Sequence, residues 1–143
     1  MPNAFQKFNS FVDNLAKGVM NLNTDTIKVM LTNTAPVATN TTYASISATE
    51  LANGNGYTTG GMVVTGTGVS NAAGVETMTA NPNTWTSSTG NMGPFRYVVY
   101  YDSTPGAQPL IGFYDNGSSI TLNGLDADTF TITPAGGDLL TLQ

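Results

Sequence analysis

Carboxylates are the only strong acid–base groups this chain has to offer. Asp126 and Asp128 lie one residue apart, and Asp102 and Asp115 end two aromatic-rich segments, so either set has the residue types to ligate Ca²⁺ or to flank a glycosidic bond. Asp-Ala-Asp alone is also an ordinary solvated turn ahead of a strand, and the Gly and terminal Glu of an EF-hand loop do not accompany it. The chain has no His and no Cys, which removes disulfides, thiolate zinc sites, Ser/His and Cys/His nucleophile pairs and the commonest general base near neutral pH. No Gly-rich stretch is followed by the Lys of a phosphate loop. The sequence therefore points to no catalytic residue, no cofactor and no metal ligand, and the chain is expected not to be an enzyme.

Charge is scarce: 9% of residues are charged, against about 25% in an ordinary soluble domain, and Thr, Asn, Ser and Gly take their place. A surface of hydroxyls and amides suits lasting interfaces, which are depleted in ions and bury neutral polar groups more cheaply. Four basic residues stand against nine acidic ones. Lys7, Lys17, Lys28 and Arg96 are too few to build the basic patch that counterion release from DNA or RNA requires, so no nucleic-acid partner is expected. Three of these bases fall in the first 28 residues, whereas Arg96 is alone among the seven acids of the remainder. An outward Arg96 would be an interface contact with little competition; an inward one would need Asp102 or Asp115 as partner. No segment reaches the roughly 18 apolar residues of a membrane span, and the opening Met-Pro-Asn-Ala-Phe-Gln-Lys lacks the apolar core of a secretory leader. No membrane association is expected, the chain is expected to start at Met1, and the Asn40 and Asn116 glycosylation sequons read as products of an Asn/Thr-rich composition.

Aromatic residues supply the remaining candidate chemistry. Tyr97, Tyr100 and Tyr114 could stack sugars in a lectin-like groove, although aromatic strand residues are far more often core. Trp85, flanked by Thr residues, fits either core or an exposed anchor.

These residues need a scaffold, and periodicity indicates which. Residues 3–20 carry one helical stripe, Phe5, Phe8, Val12, Leu15 and Val19, widened by Phe11, Ala16 and Met20. The stripe is read as packing on its own core or, given its three Phe residues, docking on a neighbouring subunit; its five residues and Arg96 are the candidate partner contacts. Beyond it the period changes to that of strands. Thr26–Thr32 alternates Ile27, Val29 and Leu31 against Lys28, Met30 and Thr32, and Ser47–Glu50 has the form of a capping box for one helical turn. Further strands are expected at Gly61–Thr67, Val75–Thr79, Thr84–Ser87, Phe95–Tyr101, Leu110–Tyr114, Ser118–Leu122, Thr129–Thr133 and Leu139–Leu142. Phe95–Tyr101 and Leu110–Tyr114, bulky on both faces, read as the central hairpin. The expected fold is mainly β, an antiparallel β-sandwich or jelly roll with one N-terminal amphipathic helix, divided into an arm (residues 1–22) and a sandwich domain (23–143).

Taken in order, Thr26–Thr32, the Gly-Tyr-Thr-x-Gly-Gly run of residues 56–61 within Glu50–Gly61, Trp85, Tyr97–Asp102, the Pro-Leu-Ile strand Pro109–Tyr114, Phe130–Thr133 and Leu139–Leu142 resemble a family of small proteins encoded among tailed-bacteriophage virion genes. The resemblance spans most of the chain after residue 25. It implies a non-enzymatic virion component, a decoration or cement protein on the outer surface of the head, with the major capsid protein as partner and a homo-oligomer, a trimer, as the expected state. Members of this kind often begin directly with the first strand, so the N-terminal helix is a departure with the character of an attachment device. A tail or fibre component that binds a host receptor or glycan is the alternative.

Overall fold

The computed structural model describes residues 3–143. Ten strands and one α-helix follow in the order β1 (Gln6–Lys7), α1 (Asn9–Ala16), β2 (Ile27–Thr32), β3 (Met62–Val63), β4 (Gly68–Ala72), β5 (Val75–Thr79), β6 (Asn83–Thr86), β7 (Met92–Asp102), β8 (Leu110–Leu122), β9 (Thr129–Ile132) and β10 (Asp138–Leu142). A five-stranded sheet in the order β1-β8-β7-β2-β3 faces a three-stranded sheet, β10-β5-β4, and a two-stranded one, β6-β9. Every pairing is antiparallel, and the protein is a β-sandwich with a single α-helix near its N-terminus.

Period-two alternation builds two cores, one on each face of the large sheet. On one face Ile27, Val29 and Leu31 of β2 join Val98 and Tyr100 of β7 and meet Met78, Trp85, Ile132 and Leu139 from the smaller sheets. On the other, Met30, Tyr97, Val99, Tyr101, Leu110 and Phe113 are covered by Ile46 and Tyr43 of the loop after β2, together with Phe8. The β7–β8 hairpin is thus buried on both sides, which is why it is bulky on both faces. Trp85 belongs to the core, stacked on Phe130 with ring centroids 5.9 Å apart.

The N-terminal segment differs from the continuous helix over 3–20. Only Asn9–Ala16 is helical; the preceding residues run extended along β8, with Gln6 opposite Phe113 and Lys7 opposite Gly112. The Asn3 amide donates to Asp115 O and the Phe8 amide to Ile111 O, so sheet bonding claims the donors that a first helical turn would leave unpaired. At the other end Gly18, at φ +68°, terminates the helix: its amide bonds to Leu15 O and that of Val19 to Asn14 O, a Schellman pair. Because β1 belongs to the large sheet and Phe11 to the main core, the described part of the arm (residues 3–22) is continuous with the sandwich and not a separate unit; residues 1 and 2 lie outside the described residues.

Smaller differences have local causes. The expected strand Gly61–Thr67 shrinks to Met62–Val63, and the next strand is β4, a polar edge strand without alternation, joined to β5 by Ala73 and Gly74, both at positive φ. Leu110–Tyr114 and Ser118–Leu122 are one strand whose pairing with β7 shifts register between Asp115 and Ile120, where Gly117, at φ +87°, donates its amide to Asp115 Oδ1 (2.7 Å). The capping-box sequence forms a 3₁₀ turn at Ser47–Thr49, and the Glu50 side chain bonds elsewhere.

Candidate interaction surfaces

The six candidate partner contacts are dispersed. Phe8 is buried in the second core at 1% exposure and offers nothing to a partner. Phe5 and Leu15 are half-buried against the main core. Val12 and Val19 face solvent, at 54% and 42%. Arg96 points outward from β7, its Nε and Nη2 donating to the two carboxylate oxygens of Asp115 at 2.7 and 2.9 Å, with the guanidinium 5.3 Å from the centre of the Tyr97 ring. The pair raises the Arg96 pKa and holds that of Asp115 below the usual carboxylate range.

The three tyrosines do not form one groove. Tyr97 lies on the second-core face with Phe113, while Tyr100 and Tyr114 lie on the opposite face beneath Phe5, whose ring sits 5.8 and 5.0 Å from theirs. Phe5 comes this close because residue 112 is glycine: a Cβ there would stand 2.5 Å from the Phe5 ring and from Gln6 O. What remains open beside Tyr114 is a groove of about 470 Å³ between the N-terminal segment and β10, lined among others by Asn3, Phe5, Lys7, Asp138 and Leu140.

The candidate carboxylates are used structurally. Asn123 organises the loop after β8: its Nδ2 donates to Asp126 Oδ2 (2.5 Å), its backbone amide to Asp128 Oδ2 (3.0 Å), and its Oδ1 accepts from the Leu125 amide (3.0 Å). Ser87 Oγ donates to Asn123 O and Asn55 Nδ2 to Asn91 O, so three polar loops are bonded together at one end of the sandwich, with Leu125 at their tip, 89% exposed. Among the described residues no group of three or more His, Cys, Asp or Glu gathers in metal-binding geometry.

Two carboxylates take partners other than those suggested by the sequence, which offered Glu50 as a capping residue and grouped Asp102 with Asp115. Glu50 accepts hydrogen bonds from the hydroxyls of Tyr43 (2.5 Å) and Tyr57 (2.6 Å) and from the Gly60 amide (2.8 Å). Tyr57 Oη in turn accepts from the Leu31 amide (3.1 Å), and Tyr101 donates to Gly60 O (2.6 Å), so one carboxylate ties the long β2–β3 connection to the sheet. Burial, followed by the hydrogen bond to Glu50, pushes the Tyr43 and Tyr57 hydroxyls above the ordinary phenol range. The second is Asp102, fully buried at the end of β7 and faced by Asp25.

No family model, curated protein or solved structure matches this chain.

Proposed function

We propose that this chain is a non-enzymatic structural protein of a tailed-bacteriophage virion, a decoration or cement protein that binds the outer surface of the head through the major capsid protein and acts as a homo-oligomer. The observation that carries the reading is the surface chemistry: few charges, and polar loops whose amides and hydroxyls bond to one another across the Asn55, Asn91 and Asn123 junctions. Such a surface is already ordered before it meets a partner, so association loses little side-chain entropy and desolvates few ions. Weak contacts of this kind gain avidity when a lattice repeats them. The ordered resemblance of residues 26–142 to small virion proteins supports the same reading.

A tail or fibre role draws on a different feature, the groove beside Tyr114, whose aromatic, amide and carboxylate lining suits a polyhydroxylated ligand. One experiment separates the two. Purified chain is added to heads and, separately, to tails of a parent phage assembled without it, and binding is read by co-sedimentation and electron microscopy. Saturable decoration of heads, with heads gaining resistance to heat, supports the cement reading; binding confined to tails or to host-cell glycans overturns it.

A further inference from the structure

The register of the large sheet brings two acids together, and among the described residues no Lys or Arg forms an ion pair with either. Ile27 of β2 pairs with Asp102 of β7, and the pairing continues outward: the Ser103 amide and Oγ both donate to Thr26 O (2.9 and 2.7 Å), and the Thr26 amide donates to Thr104 Oγ1 (2.8 Å). Asp25, one residue further, is therefore held against Asp102, and its own Oδ2 is fixed by the Asn21 amide (2.7 Å). Asp102 has 0% exposure; its Oδ1 accepts from the Thr104 amide (3.0 Å), while Oδ2 is buried with no hydrogen-bond donor among the described residues.

The charged surroundings are one-sided. The loop that precedes β2 carries Asp25 and, at its start, Lys17, whose ammonium is paired with Asp13 (2.7 Å), and the hairpin loop from Ser103 to Pro109 contains no titratable group. Lys28, next along β2 and paired with Tyr101 across the sheet, has its ammonium beside Gly60.

We infer that Asp25 and Asp102 share a single proton in the folded protein, which bridges Asp102 Oδ2 to the Asp25 carboxylate and pins the entry of β2 to the end of β7. A shared proton satisfies the orphaned oxygen and removes one of two like charges from a buried site. Burial and the Asp25 charge act in that direction, raising the Asp102 pKa to about 7 against the opposing effect of the Thr104 amide. An unfolded Asp releases its proton near about 3.9. Between those values the folded chain holds the extra proton, so stability falls as pH rises through this window and is greatest on its acid side.

The test is urea unfolding of the full chain from pH 4.5 to 8.5, with carboxyl-detected NMR titration of the Asp side chains. The expected results are a midpoint that declines from pH 5 to pH 8 and one Asp carboxyl titrating near neutrality. Asp102→Asn should flatten the decline, because its amide donates to Asp25 without a titrating proton; should that variant fail to fold, Asp25→Asn reads the same slope from the other partner. Both carboxyls titrating below pH 5, or an unchanged slope in a folded variant, overturns the inference. So does a pH 8 midpoint that millimolar Ca²⁺ raises in the wild type and not in the variant, which would assign the pair to a cation.

Discussion

Phe5 and Phe8 straddle the edge of the large sheet, one ring on each face. Phe5 packs on Tyr114 at 5.0 Å and Phe8 on Phe113 at 5.4 Å, and Phe113 and Tyr114 are consecutive residues of β8 with side chains on opposite faces. An extended chain places residues three apart on opposite sides, so the N-terminal segment grips the sheet edge and caps what would otherwise be an open β8.

This grip makes the fold depend on the arm. Phe8→Ala should destabilise by about 3–5 kcal/mol, as expected for emptying a buried Phe site, and half-buried Phe5→Ala by less. Chemical unfolding of the two variants checks the order; a Phe8→Ala protein as stable as the wild type would mean the arm is not seated as described.

Gly112→Ala tests the same contact from beneath. Its Cβ would meet the Phe5 ring and Gln6 O at 2.5 Å, so β1 must lift, at about 1–3 kcal/mol for an overpacked contact. Phe5→Ala should relieve only part of this cost, because the Gln6 carbonyl remains; full relief in the double variant would show that the ring alone sets the spacing.

Much of the sheet was legible because its alternation is strong: Ile27, Val29 and Leu31 mark β2, and the doubly bulky β7–β8 pair marks the centre. The arm misled for a physical reason. Phe5, Phe8 and Phe11 at three-residue spacing match a helical stripe, and an extended segment that turns into a helix after crossing a sheet edge delivers the same three rings to buried sites. Gly18 carried the stop signal within the expected helix. The pairings of Glu50 and Asp25 left no trace, because their partners Tyr43, Tyr57 and Asp102 are set by how a long connection and a strand register fold back, which no local pattern encodes.

Glu50→Ala should cost about 1–3 kcal/mol for the buried Tyr57 hydroxyl it leaves without an acceptor, and Glu50→Gln less, since an amide oxygen can still accept. The network also sets an alkaline limit. Burial raises Tyr57 and Tyr43 beyond the ordinary phenol range and pushes Tyr101 up to about 12, whereas unfolded phenols ionise near about 10. Folded chains then retain phenol protons that unfolded ones lose, so stability from this source is complete below that pH and declines above it. Urea midpoints that fall beyond pH 10, together with phenolate absorbance appearing only on unfolding, are the expected result.

Attachment to the head, if the proposed function holds, must use surface that the fold leaves free. Phe8 is consumed by the second core and Arg96 is committed to Asp115, whereas Val12 and Val19 remain exposed. Replacing both valines by Ser should therefore change stability by less than about 1 kcal/mol, within the ordinary range for two surface substitutions. The same variant should bind heads more weakly and lose part of the heat resistance it confers. Leu125→Ser, at the opposite kind of site, a polar loop tip, is the parallel variant that tells which surface meets the shell. Unimpaired head decoration by the double valine variant with loss of binding in the leucine variant would move the attachment surface to the loop cluster. Unfolding of the valine variant would instead show that the exposed valines of α1 and of the turn after it stabilise the domain more than their burial indicates.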